Sequence, residues 1–159
     1  MEILGEQDWW NKVTLYEWGA RAPMIIWVPG ADGMGQPTKS IMEFIDLYPT
    51  LLDFAGLEPP HELSGQTLRP VLDDPQTTIK DAAFTQVTRG DRMGYSVRTD
   101  RWRYIEWGKN GEFGSELYDH SKDTGEYFNL TENPEYSSYR KKLSDLLDQS
   151  FPSRRNSFH

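Results

Sequence analysis

The sequence has 159 residues, 17 of them basic and 25 acidic, for a net charge of −8, and 36 % are hydrophobic. With 6 Trp, 8 Tyr and 7 Phe it holds enough apolar and aromatic area to offset chain entropy, which excludes a disordered polymer. The absence of cysteine removes disulfides, thiol catalysis and Cys-type zinc sites, and a pI near 4.9 argues against a nucleic-acid-binding face.

The longest apolar run, Met24–Val28, falls far short of the roughly 20 residues a spanning helix needs, so no membrane segment is expected. Met1 is followed by acidic residues and by no apolar stretch of the signal-peptide kind. Charge is uneven: up to Pro75 there are 4 basic and 12 acidic residues, and from Gln76 onward 13 of each. The change of character falls at Asp73-Asp74-Pro75, itself a turn sequence. The expected division is therefore 1–75, then a small lobe over 76–152, then a frayed tail over 153–159.

In chain order, Leu4–Arg21 reads as a loop with helical turns. Met24–Val28, stopped by Pro29-Gly30, fits a strand buried on both faces, as inside a parallel sheet. A strand of that kind needs parallel neighbours, and the sequence offers no obvious ones. A glycine-rich loop over Ala31–Pro37 leads to Ser40, a candidate N-cap. Ile41, Phe44, Ile45, Tyr48, Leu51, Leu52 and Ala55 then follow helical spacing up to Gly56, with Pro49 expected to kink or divide the helix.

The second half changes period. Ala82–Val87, Tyr95–Thr99, Trp102–Trp107 and Glu116–Tyr118 are short aromatic and β-branched segments between turn signals, with a hairpin at Arg98-Thr99-Asp100-Arg101. Pro134 after Asn133 opens a helical pattern through Tyr136, Tyr139, Leu143, Leu146 and Leu147 that stops before Pro152. The expected fold is thus an α/β fragment, one strand and helix, followed by an α+β lobe: four antiparallel strands covered by a C-terminal helix.

Several strings in the same order resemble the sulfatase family. They are Leu4-Gly5-Glu6, Trp10-Asn11-Lys12, Thr14-Leu15-Tyr16-Glu17, Arg21-Ala22-Pro23, Asp46-Leu47-Tyr48-Pro49-Thr50, Gly65-Gln66-Thr67-Leu68 and Pro70-Val71-Leu72. Met93–Thr99, Arg101–Tyr104 and Glu116–Asp119 look like its iduronate-2-sulfatase branch. The resemblance implies the last strand and helix of an alkaline-phosphatase-like sulfatase domain plus its small C-terminal lobe. It implies hydrolysis of sulfate esters of sulfated sugars, such as glycosaminoglycan units, with a formylglycine nucleophile and a calcium ion. The family's metal ligands and nucleophile would fall ahead of Met1, so no metal is expected on this chain and the chain alone should not turn over. Implied partners are a sulfated sugar and an N-terminal sulfatase segment, or a self-associating copy. The family is usually exported, periplasmic or lysosomal.

Lys12 matches the family lysine that contacts a sulfate oxygen, where an ammonium offsets charge growing on the ester oxygens. Gln7-Asp8 depart from the family's usual His-Gly, and Asp8 would repel a sulfate unless it points away. Arg89, Arg92, Arg98, Arg101 and Arg103 form a basic group. Trp10, Arg98 and Arg101 are the candidate substrate-binding residues, an aromatic platform and a cationic rim for sulfated or uronate sugars. The competing reading pairs these arginines with Asp91, Asp100 and Glu106 on a solvated face. Ser150-Phe151-Pro152-Ser153-Arg154 formally fits the nucleophile motif, but its place after the last helix favours an ordinary helix stop. His61, His120 and His159 show no metal-binding spacing. A non-catalytic sugar-binding or interaction module, or a truncated reading frame without independent activity, is the alternative to a sulfatase part.

Overall fold

The computed structural model describes residues 3–5, 8, 10–33 and 35–152. Two compact units emerge, one formed by the chain up to Pro23 together with everything from Phe84 on, the other by Met24–Ala83. That division differs from the expected boundary at residue 75, because the N-terminal segment belongs with the small lobe. No helix among the described residues is long and apolar enough to cross a membrane.

The first unit is built on a four-stranded sheet in the order β3 (Ala83–Arg89), β4 (Arg92–Arg98), β5 (Trp102–Trp107) and β6 (Ser115–Asp119). Register follows the sequence pattern: Val97 faces Tyr104, Arg98 faces Arg103, and Tyr104 faces Leu117. The expected hairpin closes with the Thr99 N–H on the Trp102 carbonyl at 2.8 Å. The C-terminal helix α4 (Ser137–Ser150) is led in by a 3-10 turn at Pro134–Tyr136, in which the Asn133 side chain accepts the Glu135 N–H.

Alternation along β5 divides its side chains between two covered faces. Trp102, Tyr104 and Glu106 lie on the α4 side, where Trp102 stacks on Tyr139 at 4.6 Å and the Ser144 hydroxyl donates to Glu106. Arg103, Ile105 and Trp107 face the other way. There Leu15, Ile105 and Tyr118 form a buried cluster with Tyr16, Val87 and Trp107 packed against it. Arg103 is therefore no surface arginine: it is 2 % exposed, because the N-terminal segment covers that face.

The second unit departs furthest from expectation. Met24–Val28 is extended but forms no strand, and Ile25 and Trp27 are 95 % and 73 % exposed. A ladder needs a neighbouring backbone, and no described residue supplies one. The helix starts later than the pattern implied. A 3-10 turn at Phe44–Asp46 leads into α2 (Leu47–Ala55), so Pro49 sits in the first turn, where its missing N–H costs nothing. Ser40 is not the cap; Glu43 and Asp46 form a reciprocal capping box instead, and the Ser40 hydroxyl is buried without a partner.

The burial of this segment is inverted relative to its pattern. Asp46 and Thr50, one helical turn apart, are buried, while Phe44, Ile45, Tyr48 and Leu51 are exposed. Main-chain partners explain which face turned inward. Asp46 accepts from the Glu43 and Gln66 N–H groups at 2.8 and 2.9 Å and from Lys80 Nζ at 2.7 Å. Thr50 accepts the Leu68 N–H at 2.8 Å. Asp53 holds Arg69 and the Thr67 hydroxyl. Gly65 permits this approach: a Cβ there would sit 2.1 Å from the Ile45 carbonyl oxygen. The short α3 (Arg69–Asp73) follows, with Leu68 and Val71 buried.

Candidate functional site

Lys12 follows a short hairpin in which β1 (Ile3–Leu4) pairs with β2 (Trp10–Asn11). The turn is tight at Gly5, where a Cβ would lie 3.1 Å from the Trp10 ring, so the Leu-Gly-Glu glycine is the seat of that indole. Trp10 is 70 % exposed. Lys12 is exposed and makes no ion pair with another described residue, and Asp8 is exposed as well. Gln7 lies outside the described residues. Immediately after Lys12, Val13 has φ of 68°, a left-handed conformation that a β-branched residue rarely adopts.

Arg98 and Arg101 lie elsewhere in the same unit, each with an internal carboxylate. Arg101 grips Asp119 with both ends of its fork, at 2.9 and 2.7 Å, and lies over Trp102. Hydrogen bonds from Arg101 and Ser121, with the Arg101 charge, hold the Asp119 carboxyl well below the usual range, although burial opposes them. Arg98 donates to Glu17 at 3.1 Å and to His120 Nδ1 at 3.0 Å. A guanidinium has only donors, so Nδ1 accepts; the proton is then on Nε2, which donates to Glu126 at 2.7 Å.

These contacts belong to one network. Arg103 donates to Glu126 at 2.6 Å, to the Leu15 carbonyl at 2.9 Å and to Glu17 at 2.5 Å. Glu126 also accepts the Glu17 N–H at 2.8 Å, from a backbone with φ of 59°. Burial alone would raise the Glu17 pKa, but the charge and hydrogen bond of Arg103, then those of Arg98, outweigh it and hold it down. Beside this network opens a cleft of about 500 Å³ bordered by Trp18, Arg21, Arg98, Asp100 and His120.

Glu17, His120 and Glu126 place three metal-ligand atoms within 4.8 Å of one another, a grouping their sequence spacing does not reveal. Their carboxylates are already bridged by Arg98 and Arg103, which fits an ion network and not a cation cage. Burial first, and then neighbouring Glu116 or Glu106, pushes the Tyr16, Tyr118 and Tyr104 phenols far above their ordinary range, so all three stay protonated near neutrality. Ser150 closes α4, and Phe151 turns inward onto Tyr95 at 5.0 Å, which accounts for the helix stop. Ser153, Arg154 and His159 lie outside the described residues, and His61 is exposed.

The chain is similar to known proteins along nearly all its length. Residues 5–152 match the family described as N-sulphoglucosamine sulphohydrolase, C-terminal. An N-acetylglucosamine-6-O-sulfatase of Bacteroides thetaiotaomicron is 33 % identical over 93 % of this chain and 28 % of its own length. Arylsulfatase K of Rattus norvegicus is 31 % identical over 92 % of the chain and 28 % of its own length. A solved structure, described as in complex with its substrate D-glucosamine-2-N,6-O-disulfate, superposes with a TM-score of 0.85 at 30 % identity, covering 98 % of this chain and 33 % of that one. A phosphonate monoester hydrolase of Agrobacterium radiobacter shares the fold at a TM-score of 0.64 and 24 % identity, over 78 % of this chain and 27 % of its own. The chain thus spans about a third or less of the length of the relatives it matches. With its antiparallel sheet and closing helix matched over residues 5–152, the chain belongs to the C-terminal N-sulphoglucosamine sulphohydrolase family of the alkaline-phosphatase-like sulfatases.

Proposed function

We propose that this chain serves as the C-terminal part of an enzyme that hydrolyses sulfate esters of sulfated sugars. The observation that carries the reading is the superposition of 98 % of the chain on a protein solved in complex with its substrate, a glucosamine disulfate. In this reading Lys12 presents its ammonium to a sulfate oxygen and steadies the charge that grows on the ester oxygens as the S–O bond breaks. Trp10, half a hairpin away, offers its exposed ring to a sugar face. Arg98 and Arg101, each bound to an internal carboxylate, contribute a cationic rim and not a free fork.

The nucleophile and calcium ion belong, in this proposal, to an N-terminal sulfatase segment. The described residues do not fit the ion: the Glu17–His120–Glu126 group is filled by guanidinium groups. The same segment is the proposed partner of the apolar side chains the second unit leaves open, Ile25, Trp27, Phe44 and Leu51 among them. As to substrate, the sugar bound by the structural neighbour and the activity named for the bacterial relative favour a sulfated glucosamine. The iduronate-type sulfate to which Met93–Thr99 and Arg101–Tyr104 point is the competing choice.

The test is a chimera in which residues 4–159 replace the corresponding stretch of the Bacteroides thetaiotaomicron relative. It should hydrolyse an aryl sulfate and glucosamine-6-sulfate, and Lys12→Ala should lower kcat/KM by about 100-fold, the scale of losing one transition-state charge contact. A folded chimera that binds sulfated sugar without turnover would favour the non-catalytic module. One that prefers 2-sulfated iduronate would move the substrate assignment.

A further inference from the structure

We infer that Arg89 is a positioning residue for Lys12, acting through the strained backbone of Val13; the inference rests on the reading of Lys12 as a sulfate contact. Three observations converge. Val13, adjacent to Lys12, has φ of 68° although its side chain is β-branched, and that side chain is 42 % exposed and not enclosed in the core. The Val13 carbonyl accepts a hydrogen bond from Arg89 Nη2 at 3.1 Å, across 76 residues of sequence. The Arg89 guanidinium lies 4.8 Å above the Trp107 ring, which packs on the buried Leu15–Ile105–Tyr118 cluster.

Together these make a clamp. The sheet core fixes Trp107, the Trp107 ring holds the guanidinium over its face, and the guanidinium fixes the direction of the Val13 carbonyl. A left-handed residue turns the chain sharply, and that turn sets where the preceding Cα–Cβ bond of Lys12 points. Without the clamp, Val13 would relax to negative φ, swinging the Lys12 side chain away. Arg89 is the last residue of β3, so its own backbone is held by the sheet while its head reaches the hairpin. A lysine could supply charge but not the planar stack, which gives the site a reason to use arginine.

The test has a structural arm and a kinetic arm. In the 159-residue chain, the one-bond Cα–Hα coupling at Val13, read by NMR, separates positive from negative φ. It should report positive φ in the parent and negative φ in Arg89→Ala. In the chimera, Arg89→Ala should lower kcat/KM by about 10-fold, mainly through kcat, as a misplaced catalytic contact does. Asparagine tolerates the left-handed region, so in a Val13→Asn background the same change should cost about 2-fold or less. Arg89→Lys should fall between. Equal losses in both backgrounds, or positive φ persisting in Arg89→Ala, would overturn the clamp. A Lys12→Ala chimera of undiminished activity would instead sink the sulfate-contact reading while leaving the NMR result standing.

Discussion

The two units solve the burial problem in opposite ways. In the sheet unit, all of β5 but Trp107 is buried, and even its one guanidinium is enclosed with two carboxylates. In the Met24–Ala83 unit, the polar stripe of α2 turns inward and the apolar stripe stays outside. The difference lies in what the chain itself supplies. The sheet unit holds its own second layer, helix α4 on one face and the Leu15–Glu17 segment on the other. Around α2 the neighbouring backbone of residues 65–69 offers N–H donors and an arginine, so Asp46, Thr50 and Asp53 win the inner face. Amphipathic spacing fixes which residues lie together on a helix; it does not fix which stripe finds a partner inside the chain.

The largest effect that separates the units is expected at Arg103. Arg103→Met takes the enclosed guanidinium away from buried Glu126 and half-buried Glu17, leaving Arg98, Arg21 and His120 among the groups that answer them. Removing one member of a buried charge group costs about 3–5 kcal/mol, and urea unfolding of the chain should show a loss of that size. A loss below about 1 kcal/mol would mean that the apolar layers carry the sheet unit and the network is incidental.

Asp46 is the counterpart in the other unit. Asp46→Ala strands two backbone N–H groups and leaves Lys80, whose side chain is only 10 % exposed, with Glu43 but without its second carboxylate. Each buried unsatisfied group costs about 1–3 kcal/mol, and partial re-hydration should bring the total to about 2–4 kcal/mol. Asp46→Asn keeps one acceptor and should cost about half. If hydrogen exchange at Leu68 and Gln66 is unchanged in Asp46→Ala, the inward polar stripe is not what fastens this unit.

The contrast also explains what could be read from the sequence. The four strands, the hairpin at Thr99 and the Pro134 start of the last helix were legible, because period-2 patterning, turn residues and a proline each act locally. Gly65 and Gly5 sit in motifs that were noticed, and the structure gives their reason: a backbone and an indole pass where a Cβ would be. Met24–Val28 is extended without a ladder, because an apolar run signals burial without supplying the neighbouring strands it needs. The network was invisible for another cause. Arg103 alternated properly along a strand, but its partners lie 86 and 23 residues away, and Glu126 adopts a positive φ that no glycine announces. Lys12 could be picked out only by resemblance, since nothing in its spacing marks it.

Acid should weaken the sheet unit through Asp119 and Glu17. Both carboxyls are held below their ordinary range in the folded chain, by Arg101 and by Arg103 respectively. Groups of that kind stabilise the fold above their unfolded pKa, about 4, and lose the contribution as pH falls below it. Melting temperature should stay level from about pH 8 to about pH 5, then decline below about pH 4. Asp119→Asn should melt lower near neutrality and decline less on acidification. Equal declines in parent and variant would remove Asp119 from the account.

The smallest effect on stability is expected where exposure is greatest. Ile25 and Trp27 bury little within this chain, so Ile25→Ser and Trp27→Ser should each change the unfolding free energy by no more than about 0.5 kcal/mol. Their consequence should appear in association instead. An apolar stripe open to water favours contact with another apolar surface, whether a second copy or the proposed N-terminal segment. Sedimentation of the parent should show concentration-dependent self-association that the double variant lacks, and added N-terminal segment should compete with it. A parent that stays monomeric at high concentration, with solubility no better in the double variant, would show that these residues are covered from within the chain and that the two units differ less than their side-chain exposure implies.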